Sequence, residues 1–239
     1  LNPKDNTGSE VLEVIASADK FNYWMYETIK PFSKGNILEI GSGIGNISKF
    51  FIEQGSSITL SDFDEFYIEY LKKKYSAQQI NIISIDLQEE DFEQRHAGEK
   101  EEFDSIIMLN VLEHIKDDSL ALKNCRYLLK PGGKIVILTP SYSFLYSSID
   151  KALGHYRRYS LTELNYLLIQ NRFNVKKRFR FNALGIPAWL YGKILRLKTI
   201  PSHEMNFYNK LTPVARLIDR ITFRKTGLSC IIIGEKVTS

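Results

Sequence analysis

Residues 36–48 read N-I-L-E-I-G-S-G-I-G-N-I-S. Ile37, Leu38 and Ile40 form a short apolar run, as in a strand buried on both faces. Gly41, Gly43 and Gly45 follow at alternate positions, and a helical pattern opens with Ile47, Phe50 and Phe51. The stretch reads as strand, tight glycine turn and helix N-terminus. Glycine is needed where the chain turns sharply or where a ligand must touch backbone. A helix N-terminus adds unpaired N–H groups and a partial positive charge. The spacing is E-x-G-x-G-x-G, headed by Glu39. The dinucleotide fingerprint G-x-G-x-x-G would want glycine at 46, where this chain has Asn46. A tight strand-to-helix turn needs no ligand at all, so the neighbouring stretches must decide.

Downstream, Ile44 to Gln54 has the pattern of a helix stopped by Gly55, and Ile58 to Leu60 that of a second strand. This strand runs into S-D-F-D. Asp62 falls 21 positions after Gly41, where nucleotide-binding βαβ units place an acid for ribose hydroxyls. A carboxylate suits that task because it accepts two hydrogen bonds from a vicinal diol. Asp64 is placed to cap the helix from Glu65 to Tyr75. A third strand, Ile80 to Ile85, closes on Asp86 and Leu87. The acidic stretch 88–102 reads as a solvated helix and loop. Phe103 to Leu109 is a fourth strand, leading into N-V-L-E-H-I-K-D-D from Asn110. A helix over Ser119 to Lys130 stops at K-P-G-G, and Lys134 to Leu138 is a fifth strand.

Together these motifs resemble the class I S-adenosylmethionine (SAM) dependent methyltransferases. The resemblance rests on the E-x-G-x-G-x-G turn, the acid after the second strand, N-x-L-E-H-x-x-D after the fourth, and L-K-P-G-G-K-I-V-I-L into the fifth. It covers residues 36 to 139, slightly under half the chain. It implies SAM as cofactor and S-adenosylhomocysteine as product. The implied cofactor residues are Glu39, Gly41, Ser42, Gly43, Gly45, Asp62, Phe63, Asp86, Leu87 and Asn110. Asp86 and Leu87 would hold the adenine. A helical pattern from Val11 to Phe32, rich in aromatics, would lie over the cofactor, with Tyr23 or Tyr26 covering its methionine end. Packing of that leader on the sheet is the competing reading.

The second half is more individual. After Thr139-Pro140 come about 20 residues with little regular pattern, up to Ser160, where a helix opens with a capping box to Glu163. Loops this long tend to be functional, and this one follows the carboxyl end of a strand, where open α/β sheets bind ligands. Asp150, His155, Tyr156, Arg157, Arg158 and Tyr159 crowd it. Its G-H-Y-R-R-Y-S run resembles a bacterial methyltransferase subgroup often found beside glycosyltransferases. As an acceptor site, the loop would use both arginines to grip a carboxylate or phosphate. Otherwise they pair with surface acids while the tyrosines pack the next helix. If the acceptor is a hydroxyl, His155 is the first candidate base and His114 the second.

Phe173, Val175, Phe179 and Phe181 alternate with polar residues as a half-buried strand, and Leu228 to Glu235 is another. Between them, residues 182–226 form a helical insertion containing L-G-I-P-A-W-L-Y-G-K-I-L-R-L and F-Y-N-K-L-T-P-V-A-R-L-I-D-R-I. This insertion is expected as a cap on the domain. Its Trp189, Tyr191, Leu195, Leu197 and Leu217, with Lys193, Arg196, Lys198, Arg216 and Arg220, would also suit a membrane interface.

Composition sets outer limits. With 239 residues, 44% of them apolar, the chain can bury a full core. No apolar run reaches the ~18 residues of a spanning helix, and the start is polar, so a cytoplasmic protein is expected, peripheral to the inner membrane face if the insertion meets lipid. Residues 172–225 hold 13 Lys/Arg and 2 Asp/Glu, leaving 19 basic and 26 acidic residues elsewhere. That basic third attracts anionic partners. Cys125 and Cys230 fall in apolar patterns and read as core residues. No Cys/His group has zinc spacing, and no metal site is expected.

The expected fold is one domain over residues 1–239, a doubly wound, mostly parallel, seven-stranded Rossmann-like α/β sheet. Its antiparallel C-terminal strands and strand count come from the resemblance. The core spans about 33–181 plus 227–239, with leader 11–32 and insertion 182–226. The implied function is methyl transfer to a small-molecule or lipid-linked glycan acceptor, anionic, at oxygen. A nucleic-acid methyltransferase and a SAM-binding protein without catalysis stand as alternatives. Nucleic acid is disfavoured because Asn110-Val111-Leu112 stands where an N-P-P-Y-type motif would be.

Overall fold

The computed structural model describes residues 6–199 and 201–237. Two helices come first, α1 (Asn6–Ala16) and α2 (Asp19–Ile29). They alternate thereafter with strands: β1 (Ile37–Ile40), α3 (Ser48–Glu53), β2 (Ile58–Asp62), α4 (Glu65–Lys74), β3 (Asn81–Ser84), α5 (Phe92–Arg95), β4 (Phe103–Leu109), α6 (Asp118–Leu128) and β5 (Leu129–Pro140). The C-terminal part holds α7 (Ser148–Ala152), α8 (Leu161–Gln170), β6 (Phe173–Phe181), α9 (Gly185–Ile194), α10 (Ser202–Ile221) and β7 (Ser229–Lys236).

The seven strands make one sheet in the order β3-β2-β1-β4-β5-β7-β6. β1 to β5 pair in parallel, and β7 runs antiparallel to both β5 and β6. This is the expected doubly wound sheet with its antiparallel ending. Strand alternation sends successive side chains to opposite faces. Leu38, Ile106, Ile135 and Ile232 join the core under α6 and α8. Ile37, Ile107, Val136 and Ile233 join the other core, with Trp24, Phe51, Leu71 and Ala215 from the helices opposite. Two faces covered by helices explain why consecutive positions are apolar at Ile37-Leu38 in β1 and from Ile106 to Leu109 in β4.

Several boundaries differ from the sequence reading. The leader is two helices, broken at Ser17-Ala18, where the Asn22 amide bonds back to the Ile15 carbonyl at 2.8 Å. The first crossover helix begins only at Ser48, because left-handed turns occupy the backbone at Gly43 and Gly45. β5 starts at Leu129, so K-P-G-G lies within the strand. A register shift between Phe103 and Ser105 on β4 accommodates the extra residues. The capping expectations are met: Asp64 accepts from the Phe66 amide at 2.9 Å, and Ser160 and Glu163 form a reciprocal capping box.

The insertion docks on the domain through α10. Asp219 is buried and accepts from the Asn182 and Ala183 amides, both at 2.8 Å, which fixes α10 to the end of β6. Arg216 pairs with Glu27 of α2 at 2.7 Å. Met205, Thr212, Ala215 and Asp219 form the buried side of α10. Phe207, Val214, Leu217 and Ile221 fall on the opposite side and are exposed. No helix among the described residues is long and apolar enough to cross a membrane.

Candidate active site

The strand order reverses between β1 and β4, and open α/β sheets bind ligands at that crevice, beyond the carboxyl ends of the strands. Two segments meet there. Gly41, at the end of β1, has φ +69°, and a Cβ on it would stand 2.5 Å from Val111 Cγ2 beyond β4. Any side chain at 41 would drive the two strand ends apart. Gly43 and Gly45 are also left-handed, at +52° and +77°. The whole turn therefore presents bare backbone.

Asp62 organises the turn. It ends β2 and is 5% exposed. One oxygen accepts from the Gly43 amide at 2.9 Å, the other from the Asp64 amide at 3.1 Å. Burial raises its pKa, and these backbone amides oppose the rise. Glu39 lies deeper, within β1, where the Ser48 hydroxyl donates to it. Burial pushes Glu39 up to about 7, against its hydrogen bonds from Ser48 and Ser42. It is therefore a structural acid that ties the strand to the start of α3. A carboxyl whose pKa rises on folding stabilises most when both states are protonated. Stability should fall as pH climbs from about 4.5 to about 7, by up to about 3 kcal/mol. In Glu39→Gln that slope should flatten, which urea melts across this range would measure.

The other expected cofactor residues line the same end of the sheet. Ser42 is buried, and its amide donates to the Ser61 carbonyl at 2.8 Å. Phe63 is exposed beyond β2. Asp86, past β3, accepts from the Gln88 amide at 2.9 Å, and Leu87 is buried beside it. Asn110 ends β4 in a left-handed conformation, φ +53°, with its amide on the Leu138 carbonyl at 2.8 Å. Tyr23 is placed differently: its ring packs on Tyr26 and Phe50. The side chain over Gly43 is Leu12 of α1, and the Asn46 amide bonds to the Leu12 carbonyl at 3.1 Å. The leader does cover the glycine turn, through α1 rather than through the aromatics of α2. A cleft of about 460 Å³ opens instead at the amino ends of β1 to β3, lined by Asn36, Ser57 and Asn81. It lies at the opposite end of these strands from the glycine turn.

The 141–159 segment is more ordered than its sequence suggests. Ser147 caps the short helix α7, and Asp150 closes the capping box. Asp150 is fully buried and is the hub of the segment. It accepts from His155 Nδ1 at 2.9 Å, Arg158 Nε at 2.9 Å and the Ser147 amide at 2.8 Å. Burial would raise its pKa, but His155, Arg158 and Ser147 outweigh that and hold it low. Arg158 also donates to the Ser141 carbonyl at 3.1 Å, and its guanidinium stands 4.4 Å from the Trp189 ring centroid.

These contacts correct two expectations. Arg157 and Arg158 do not form a free anion grip. Arg158 is buried against Asp150, and Arg157 donates to Asp118 at 2.8 Å and to the Lys116 carbonyl at 2.7 Å. Tyr159 likewise turns inward and donates to Asp118 at 2.8 Å, while Tyr156 alone stays exposed. Sequence reading counted the charges but could not see their partners, which come from 8 to 41 positions away. Trp189 is half-buried and held inward, its indole donating to the Leu145 carbonyl at 3.0 Å beneath Arg158.

The fold brings together the two candidate bases. The Tyr156 amide donates to the Glu113 carbonyl at 2.8 Å, joining the 154–160 run to the turn after β4. The His114 and His155 rings meet edge to face, centroids 4.6 Å apart. One edge of His114 is in solvent. The other is buried against His155; that burial first, and the His155 imidazole second, lower its pKa to about 4. Glu113 is fully buried beside them. Burial pushes it up to about 8, with the Arg158 charge opposing. Sequence reading passed over Glu113, although it stands in the quoted L-E-H; a carboxyl next to a candidate base was the available signal.

Comparison with known proteins agrees with this geometry. Residues 38–135 match the sequence model described as a methyltransferase domain. The chain is 33% identical over 109 residues to the ubiquinone biosynthesis O-methyltransferase of Coxiella burnetii, covering 46% of this chain and 45% of that protein. The match thus spans slightly under half the length of the curated relatives. Among solved structures, a SAM-dependent methyltransferase from Archaeoglobus fulgidus superposes with a TM-score of 0.59 at 20% identity, over 90% and 94% of the two chains. Phosphoethanolamine N-methyltransferase 2 of Haemonchus contortus, solved with SAM, gives 0.61 at 17% identity, over 91% and 52%. The methyltransferase domain's own residues fit that cofactor. The left-handed glycine turn leaves room for it, and Asp62 and Asp86 stand as carboxylates past adjacent strands.

Proposed function

We propose that this protein transfers the methyl group of SAM to an oxygen of a small-molecule acceptor. The observation that carries the reading is a juxtaposition. The glycine turn abuts Val111, and the Glu113, His114 and His155 group begins two residues further along. The cofactor's sulfonium supplies a methyl group already activated for attack. The chain's part is to bind, align and exclude water. Asp62 would accept from the ribose hydroxyls, and Asp86 with Leu87 would hold the adenine. α1, closed over the turn, keeps water out, and alignment of this kind can supply much of the rate. For the acceptor proton, His155 is the first candidate: Asp150 holds its Nδ1, leaving Nε2 for the hydroxyl. His114 is the second.

The test is direct. S-adenosylhomocysteine should raise the melting temperature and slow hydrogen exchange in α1. Methyl-labelled SAM should label an acceptor in extracts of the source cell. Stabilisation by NAD and not by S-adenosylhomocysteine would overturn the reading. Binding without any labelled product would favour the non-catalytic alternative.

We extend the reading to a lipid-linked glycan acceptor, reached from the cytoplasm at the inner membrane face. The support is the outward apolar stripe of α10, together with Ile194, Leu195 and Phe223, which are also exposed in the insertion, as are the cations Arg196, Lys198, Lys210 and Arg220. Apolar side chains can enter the headgroup boundary while cations meet anionic lipid, at about 1 kcal/mol each. Salt-sensitive co-sedimentation with phosphatidylserine vesicles is expected, weakened by charge reversal at Arg196 and Lys198. A protein that stays in the supernatant at low salt would favour a water-soluble acceptor.

A further inference from the structure

The group at the end of β4 has a feature that a simple base would not need. Glu113 is fully buried, yet among the described residues neither carboxylate oxygen has a hydrogen-bond partner. A buried, unpaired carboxylate is costly, and native structures rarely keep one without a use. One carboxylate oxygen and one ring nitrogen from each of His114 and His155 lie within 4.8 Å of one another. We propose that Glu113, His114 and His155 bind a single divalent metal ion of the zinc or cobalt type.

Three observations favour this assignment. Two imidazoles and one carboxylate suit borderline divalent ions rather than calcium or magnesium, which prefer all-oxygen sites. The histidines also carry outer supports of the kind metal-ligating imidazoles have. Asp150 holds His155 Nδ1 at 2.9 Å, which leaves Nε2 as the donor, and the Leu153 carbonyl engages the His114 ring. Asp150 is itself fixed by Arg158 and Ser147, so the inner donor is rigidly placed. Finally, His114 is exposed on one edge, which gives the ion a way in from solvent. Ligand atoms around a tetrahedral zinc stand roughly 3.4 Å apart, given bonds of about 2 Å, so a group within 4.8 Å must close by at most about 1.4 Å on binding. The exposed His114 ring can make that adjustment by rotation. Three protein ligands leave a fourth position open, as in catalytic sites. The proposal departs from the sequence expectation of no metal site. The sequence separates Glu113 and His114 from His155 by some 40 positions, which no zinc-spacing pattern spans.

Binding of the ion does not depend on the methyl-transfer reading, but it changes the roles within it: with the ion bound, His155 Nε2 and the His114 ring are ligands and neither is the base, and the open fourth position would take the acceptor hydroxyl. The experiment uses full-length protein stripped with chelator and titrated with Co²⁺ by visible absorption, then with Zn²⁺ by calorimetry. One equivalent should bind, with the intense visible bands of a low-symmetry cobalt site. Glu113→Gln and His114→Ala should each weaken binding on the order of 100-fold. His114→Ala acts at an exposed edge, so it reports on the site even if the buried variant folds poorly. Absence of stoichiometric binding would overturn the proposal. So would binding of equal strength in the wild type and both variants. Methyl transfer by chelator-stripped protein that binds no metal would sink the metal site and leave the transferase reading standing. Metal bound without S-adenosylhomocysteine binding would do the reverse.

Discussion

Replacing Arg158 with alanine should destabilise the protein by about 3–5 kcal/mol, the cost of stripping one partner from a buried ion pair. At this chain length that corresponds to a fall in melting temperature of roughly 10 °C. The size follows from burial. The side chains of Arg158 and Asp150 are 1% and 0% exposed and meet at 2.9 Å. Without the guanidinium, Asp150 keeps only neutral donors and the His155 ring, and the Ser141 carbonyl loses a donor. The face of Trp189 also loses its cation, so α9 loosens with the loop. Arg158→Lys keeps the charge but not the planar fork, and should fall between wild type and alanine. A thermal melt of Arg158→Ala within about 2 °C of wild type would show that the guanidinium is free to serve an acceptor after all. Arg157→Ala, by contrast, removes a half-exposed pair with Asp118 and should cost about 1 kcal/mol or less.

Asp62→Ala should weaken binding of SAM and S-adenosylhomocysteine by about 10- to 100-fold, the worth of one or two hydrogen bonds to a charged group. Two effects combine. The carboxylate already holds the Gly43 and Asp64 amides, and alanine would release the turn that shapes the pocket. Each oxygen also keeps a further lone pair for a ribose hydroxyl. Asp62→Asn separates the two effects. An amide can still accept from Gly43 through its oxygen, so the turn should hold while the ribose loses one acceptor. Calorimetric titration with S-adenosylhomocysteine measures both variants. Affinities equal to wild type would remove Asp62 from the cofactor site and leave it a loop anchor.

The sheet was legible because its signals are local. Apolar runs of four to seven residues, a glycine turn and helix caps all act within one turn of chain. They marked β1 to β4, α4 and the α8 capping box to within a few residues. The strand count and antiparallel ending came from the family resemblance carried by four motifs, and pairing in the structure agrees with them; the strand order is the structure's own. The errors of boundary arose where tertiary contacts overrode local preference, as where Leu129 pairs with Phe103 and K-P-G-G is carried in the register shift before Lys134.

Partnership between charged side chains was decided only by the tertiary structure. The sequence by itself determined which chemical groups crowd residues 150–159. It could not determine that Arg158 turns inward to Asp150, that Arg157 reaches Asp118, or that His155 meets His114 and Glu113. Local propensity acts over a few residues, whereas the free energy of a charge depends on burial and on neighbours from any distance along the chain. The same holds for α10. Its sequence is amphipathic by any reading, yet the fold buries the narrow side carrying Thr212, Ala215 and Asp219 and leaves Phe207, Val214, Leu217 and Ile221 outside. The reason is that Asp219 must reach the amides at the end of β6, and that contact sets the rotation of the helix.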